Sequence, residues 1–326
     1  MSAEDHAWMA RAVELAASVR ATTSPNPWVG CVVVAGDKVF EGATQPPAGP
    51  HAEAMALADA GAHGAGATLY CTLEPCSRQG RTPPCTDAIV AAGVSRVVVA
   101  IEDPDPGERG AGIAALRAAG VRVDTGIAED EVVAQLAPYA KHRLTGRPWV
   151  VLKLAATLDG RTAAPDGTSR WITGPEARAD AHRLRAESDA VVVGSGTVAA
   201  DDPALTVRHV EGSDPLRVVL GRAPADARVQ PALEMEGELG GVLDELGSRG
   251  VLQVLVEGGA TVAGSFHRAG LVDRYVLYLG PALLGGDDGR PVLAGPGAPT
   301  MAHVWRGRIV SVDRLGDDLR VELAPS

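Results

Sequence analysis

Aromatic residues, cysteines and long apolar runs are all scarce in this sequence, and each scarcity removes a class of protein. Phe, Trp and Tyr make up 3% of 326 residues, and Lys plus Arg number 30 against 41 Asp plus Glu, a net charge of −11. A nucleic-acid-binding or regulatory zinc protein would show basic patches interleaved with aromatics, so no nucleic-acid partner is expected, and any substrate phosphate must be held by local cations. No stretch approaches the roughly 18 uninterrupted apolar residues of a membrane helix. No charged, apolar, small-residue leader opens the chain at Met1, so a cytoplasmic location without membrane attachment is expected. Four cysteines are too few for a disulfide framework in a chain of this length, and cytoplasmic thiols stay reduced.

What is present is a 46% hydrophobic chain long enough for two domains at about 150 residues each. The first half alternates β-branched runs with alanine-rich helical stretches at 29–35, 51–60, 68–72, 86–92, 96–101, 110–119 and 121–123. That alternation reads as an α/β sheet sandwiched by helices. The polar, basic stretch 141–148 carries Gly146 and Pro148 and precedes a fresh strand at 149–154, which places the domain boundary there. Strands are expected again at 190–194, 216–220, 251–256 and 274–279, and helices at 175–187 and 260–269. An antiparallel pair, 308–312 with 319–323, turns around 316–318, and the stretch 221–241 has no clear assignment.

The strongest chemical signal is His51-Ala52-Glu53 at a helix start, followed by Pro75-Cys76 and, after the insert 77–84, Cys85. Zinc takes tetrahedral nitrogen and sulfur ligands, and a catalytic site leaves one position open. One imidazole and two thiolates meet that count, making His51, Cys76 and Cys85 the ligand candidates. The pattern is that of nucleobase deaminases, in which the metal activates a water and a non-ligand Glu, here Glu53, moves its protons. A helix start between Pro84 and Thr86 would favour the Cys85 thiolate. A structural zinc would need a fourth protein ligand, and Cys31 and Cys71 lie inside strands where they read as core; unrelated buried thiols are the remaining alternative.

On its own residues the second half supports a nucleotide or phosphate site. Glu257-Gly258-Gly259-Ala260 follows an apolar strand and opens a helix, where glycines let a backbone approach a phosphate; a purely structural turn is the alternative. Gly194-Ser195-Gly196-Thr197 repeats the arrangement, so the two turns could line one crevice at the strand ends. Arg185 on its helix reads equally as a solvated charge, and Trp171 as a core residue or as a stacking surface. An inward-pointing Lys153 needs a partner such as Asp201, a pair suited to placing a proton.

The segments PNPWVG (25–30), PHAE (50–53), TLEPCS (72–77) and GRTPPC (80–85), with LKLAATLDGRT (152–162), SRWIT (169–173), ADDPALTVR (200–208) and VEGG (256–259), resemble the bifunctional deaminase–reductases of riboflavin biosynthesis over nearly the whole chain. The resemblance implies a cytidine-deaminase-like three-layer domain over 1–147 and a dihydrofolate-reductase-like domain over 148–326. It implies Zn2+ and NADPH as cofactors and a diaminopyrimidinone ribosylamino phosphate as substrate, deaminated first and then reduced from ribosyl to ribityl. Carried over by residue, Asn26 binds the pyrimidine, and Arg78 and Arg81 serve the substrate in the first domain. In the second, Lys153, Ser169, Arg185, Leu205, Arg208 and Glu257 contact substrate. Ala155, Trp171, Thr197, Asp201 and a turn of Gly259, Ala260, Thr261, Val262, Ala263, Gly264 and Ser265 hold NADPH. The family often has His where this chain has Thr44 and Arg78, and its 220–252 stretch is longer; Thr44 and the short stretch motivate the alternative that one half is active and the other a scaffold. A homo-oligomer is a further expectation from the family.

Overall fold

The computed structural model describes residues 2–80 and 82–326, which divide into two compact units, one ending at Gly146 and the other running Arg147–Ser326. The first unit contains α1 (Ala3–Ser18), β1 (Gly30–Ala35), β2 (Lys38–Ala43), α2 (Ala52–Ala60), β3 (Thr68–Leu73), α3 (Cys85–Ala91), β4 (Arg96–Ile101), α4 (Ala111–Ala118), β5 (Arg122–Thr125), α5 (Glu129–Gln135) and α6 (Ala137–Thr145). Its sheet runs β2-β1-β3-β4-β5, antiparallel across β2, β1 and β3 and parallel from β3 to β5. The central strands β3 and β4 are buried almost throughout, as strands covered on both faces should be, and β4 carries the continuous Val and Ile run typical of that position.

Two glycines show where the layers lie. A Cβ on Gly30 would meet the Ala12 carbonyl of α1, and one on Gly42 the Ala52 carbonyl of α2. Gly42 stands opposite Cys31, the residue after Gly30, and consecutive strand residues face opposite sides. The two helices therefore cover opposite faces of the sheet. α1 is closed by a capping box between Ser2 and Asp5, and Asp5 goes on to accept from the Tyr70 hydroxyl (2.9 Å) and to pair with Arg96 (2.6 Å).

The second unit contains β6 (Trp149–Thr157), β7 (Arg161–Ala163), α7 (Pro175–Ala186), β8 (Ala190–Gly194), α8 (Ser195–Asp201), β9 (Leu216–Leu220), β10 (Leu233–Met235), α9 (Leu239–Ser248), β11 (Gln253–Val256), α10 (Ala260–Arg268), β12 (Arg274–Gly280), β13 (Arg290–Pro291), β14 (Gly307–Leu315) and β15 (Asp318–Pro325). Eight strands form one sheet, β10-β9-β8-β11-β6-β12-β15-β14, parallel up to β12 and antiparallel beyond. Alternation along β6 sorts its side chains. Val150, Leu152 and Leu154 enter the core beneath α9 and α10, while Val151 and Ala155 face α7, and Lys153 falls between them on that same face.

The polar, basic stretch 141–148 at the expected domain boundary is mostly helix. α6 continues through Thr145 with Pro138 and Tyr139 buried, and Gly146 ends it with a left-handed φ of 73°. Residues 221–241, without an assignment in the sequence, hold the short strand β10 and the start of α9.

Candidate active sites

In the first unit three chain segments converge at the carboxyl end of β3. His51 is the N-cap of α2, Cys76 lies in the loop leaving β3, and Cys85 opens α3. His51 Nδ1 is 3.6 Å from Cys76 Sγ and 3.4 Å from Cys85 Sγ. Zinc bonds of about 2.0 Å to nitrogen and 2.3 Å to sulfur at tetrahedral angles separate the two atoms by about 3.5 Å, so the triangle has a zinc site's dimensions. The Cys85 thiol and His51 draw the Cys76 thiol down, toward its thiolate, while Cys76 and burial push Cys85 up. Two sulfurs held this closely share one proton, which a dication can replace.

Glu53, in the first turn of α2, is buried (3% exposed) within hydrogen-bonding reach of Cys85; burial, with the negative Cys76 as a smaller cause, raises its carboxyl above the ordinary range. Cys31 and Cys71 face each other across β1 and β3, fully buried and outside the metal triangle. The cleft above the triangle encloses about 380 Å3 and is lined by Asn26, His51, Cys76, Arg78, Thr82 and Glu108, with Arg143 from α6. Arg78 pairs with Glu108 at 3.0 Å and donates to the Gly107 carbonyl. Arg81 lies outside the described residues. Thr44 does not line the cleft: it is buried and its hydroxyl accepts the Val29 amide at 3.1 Å.

Glu74, within the TLEPCS motif, accepts from the backbone amides of Asp103 (3.0 Å), Gly110 (2.8 Å) and Ile113 (3.0 Å). It thereby ties the loop that carries Glu108 to the end of β3, a role that its place beside a metal ligand signalled but did not specify.

The second unit's cleft, about 650 Å3, lies over β6 and the carboxyl ends of β8 and β11. Arg185 on α7 and Glu257 at the end of β11 form a two-pronged ion pair, 2.5 and 2.9 Å. Burial pushes Glu257 up, and Arg185, with Lys153 and His182, more than offsets it, holding the carboxylate low. Burial lowers Lys153, against which Glu257 acts and with which Arg185 concurs. Among the described residues no hydrogen bond or ion pair joins Lys153 to Asp201. The charge partner is Glu257, because Lys153 points toward α7 while Asp201 ends α8, its carbonyl accepting from Arg170.

Ser169, Leu205, Arg208, Ala155 and Trp171 also line this cleft. Trp171 is not core: it is 71% exposed, with Arg178 over its ring at 4.5 Å and Arg170 at 5.8 Å. The Thr197 hydroxyl accepts the Gly259 amide at 3.0 Å, bringing the two glycine turns together. The expected turn over 259–265 is instead the N-cap and first turns of α10. Gly259 and Ala260 reach the cleft, whereas Thr261, Val262 and Ser265 do not line it. Ala263 and Gly264 are buried, Ala263 in the core and Gly264 against the Ala294 carbonyl, because a helix turns them away. His182 and Arg228 line the cleft without having been singled out in the sequence.

Family models match both halves: the RibD C-terminal domain over residues 148–321 and the zinc-binding region of cytidine and deoxycytidylate deaminases over 2–101. Riboflavin biosynthesis protein RibD of Escherichia coli is 40% identical over 364 aligned positions, covering 98% of this chain and 99% of that protein. The solved structure of Acinetobacter baumannii RibD superposes with a TM-score of 0.93 at 39% identity, covering 99% of each chain. A diaminohydroxyphosphoribosylaminopyrimidine deaminase/5-amino-6-(5-phosphoribosylamino)uracil reductase of Thermotoga maritima gives a TM-score of 0.89 at 34% identity, again over 99% of each.

Proposed function

This chain belongs to the RibD family of bifunctional riboflavin biosynthesis deaminase–reductases, and from that premise we propose which of its residues carry each step. His51, Cys76 and Cys85 hold zinc in the first unit, which exchanges the 2-amino group of the diaminopyrimidinone ribosylamino phosphate for oxygen. Bound zinc supplies a Lewis acid that brings the pKa of the attacking water to about 7. Glu53, buried beside the triangle, would take a proton from that water and deliver it to the departing amine. Asn26 orients the pyrimidine, with Arg78 and Arg81 on its anionic end. The observation that carries this reading is the His51–Cys76–Cys85 triangle with buried Glu53 beside it.

In the second unit, the reductase domain over 148–326, NADPH would supply the hydride. Ala155, Trp171, Thr197, Asp201, Gly259 and Ala260, which line the cleft, would hold the cofactor. Arg185, Arg208, Ser169 and Leu205 receive the phosphorylated sugar. Lys153, opposite Glu257, provides the proton that accompanies hydride addition to the opened ribose carbon. Both halves have assembled sites, and nothing favours the alternative of one active half with an inert scaffold. No helix among the described residues is long and apolar enough to cross a membrane; a cytoplasmic enzyme that forms a homo-oligomer and ignores nucleic acid completes the reading.

The test is ammonia release and NADPH oxidation followed together on the zinc-loaded chain with the diaminopyrimidinone ribosylamino phosphate. Both signals are expected. Ammonia without NADPH oxidation would remove the reductase assignment, and neither signal with zinc bound would remove both.

A further inference from the structure

Residues 205–209, which follow α8 along one wall of the reductase cleft, hold a backbone that does not hold itself. Leu205 has φ 53° and His209 φ 69°, both left-handed and neither a glycine, a conformation that persists only where surroundings enforce it. The enforcing contacts are explicit. Leu205 is buried among Val191, Val193, Val198 and Val219. The Val207 amide donates to Asp214 at 2.7 Å, and the Thr206 carbonyl accepts from Arg185 Nη1 at 3.1 Å. The Arg208 amide donates to Nδ1 of His182 at 3.0 Å.

His182 and Arg185 are three residues apart on α7 and so share a helix face. One fixes the amide of Arg208 and the other the carbonyl of Thr206, two points of the same segment. His182 is buried (7% exposed), lines the cleft and meets His209 edge-on at 5.2 Å. Its Nδ1 accepts a backbone proton, so the neutral ring carries its hydrogen on Nε2. Burial, with Arg185, Arg208 and His209 around it, lowers its pKa to about 4, against which Glu257 acts.

We propose that His182 is a positioning residue of the reductase site: by holding the Arg208 amide it sets residues 205–208 so that Arg185 and Arg208 converge on the phosphomonoester of the substrate. The proposal rests on the reading that those two arginines receive the phosphate. Arg208 Nη1 is itself held at 2.7 Å by Thr206 Oγ1, so a shift of the backbone carries the guanidinium with it.

The test is steady-state reduction by the full chain of 5-amino-6-(5-phosphoribosylamino)uracil and of its dephosphorylated counterpart, with ammonia release by the first unit of each variant as the control for an intact preparation. His182→Ala is expected to raise KM for the phosphorylated substrate about tenfold, the effect of one lost buried hydrogen bond. It should leave kcat within about twofold and the dephosphorylated substrate unaffected. His182→Asn, whose side-chain oxygen stands where Nδ1 stood, should recover most of the loss, and His182→Gln, whose oxygen stands at the Nε2 position, should not. If His182→Ala does not fold, the contrast between Asn and Gln decides the matter alone. An unchanged KM, an equal loss on both substrates, or equal behaviour of Asn and Gln overturns the proposal. Arg208→Ala separates the two levels: if it raises KM for the phosphorylated substrate while His182→Ala does not, the phosphate reading stands and the role of His182 falls. If neither affects KM, the phosphate is bound elsewhere and both fall.

Discussion

Gly112 of α4 lies against the carbonyl of Pro75, so closely that a Cβ on Gly112 would sit 1.9 Å from that oxygen. Pro75 immediately precedes Cys76, so the helix backbone acts as a stop behind a metal ligand. Gly112→Ala should push the loop outward and spread the His51–Cys76–Cys85 triangle. Misplacement by about 1 Å costs a site on the order of 100-fold. Lower zinc content by atomic absorption and a matching fall in ammonia release are expected, with NADPH oxidation on the deaminated intermediate unchanged.

Glu53→Gln keeps the side chain's shape and removes the proton carrier. Ammonia release should fall by about 100- to 10,000-fold, the usual contribution of a positioned acid–base group, with zinc retained and reduction of the deaminated intermediate intact. Removing the metal with a chelator should silence the same half alone, and re-addition of zinc should restore it. Loss of both activities in either experiment would contradict the assignment of separate sites.

Asp5 gives the first unit an acid sensitivity. The Arg96 guanidinium, the Ser2 amide and the Tyr70 hydroxyl hold its carboxylate well below the usual range. A group depressed in this way contributes its stability in full above the unfolded value of about 4 and loses it as pH falls from there toward the native value. Asp5→Asn should therefore cost on the order of 3 kcal/mol at pH 7, as breaking a buried pair does. Urea unfolding at pH 7, 5 and 3.5 should show the gap between variant and wild type closing only at the lowest pH.

The deaminase site was readable in the sequence because its parts are close together in the chain: His51 and Glu53 sit on one helix turn, and Cys76 and Cys85 flank one loop. The elements that escaped reading have weak local signals. β2 is a largely exposed strand, and α6 has a basic surface over buried Pro138 and Tyr139. His182 escaped for a different reason. Its partner, the Arg208 amide, is 26 residues away, and a backbone donor leaves no mark on residue type. Lys153 was recognised as needing a counter-charge, but two acidic residues were available, and the alternation of β6 against α7 selected Glu257 over Asp201.

Glu257→Gln tests that choice. The carboxylate favours the protonated amine of Lys153 while burial and Arg185 oppose it, so removing the negative charge lowers the Lys153 pKa further. If the protonated amine is the form that works, the alkaline limb of the reductase pH–rate profile should move toward acid. An alkaline limb that stays in place would mean that Lys153 does not set it.

Trp171 separates binding from stability. A core tryptophan removed to alanine costs about 3–5 kcal/mol, whereas one 71% exposed between two guanidinium groups should cost less than about 0.5 kcal/mol. Trp171→Ala should instead raise KM for NADPH about tenfold, in line with a lost stacking and cation–π surface, and Trp171→Phe should recover part of it. A fall in melting temperature with an unchanged KM would reverse the assignment.

The residues lining the deaminase cleft all fall between Pro25 and Arg143, and those lining the reductase cleft between Lys153 and Val292. Among the described residues, those lining the first cleft belong to the first unit and those lining the second cleft to the second unit. The lining of each cleft is thus drawn from its own stretch of the sequence. A substitution in one stretch leaves the lining residues of the other cleft in place.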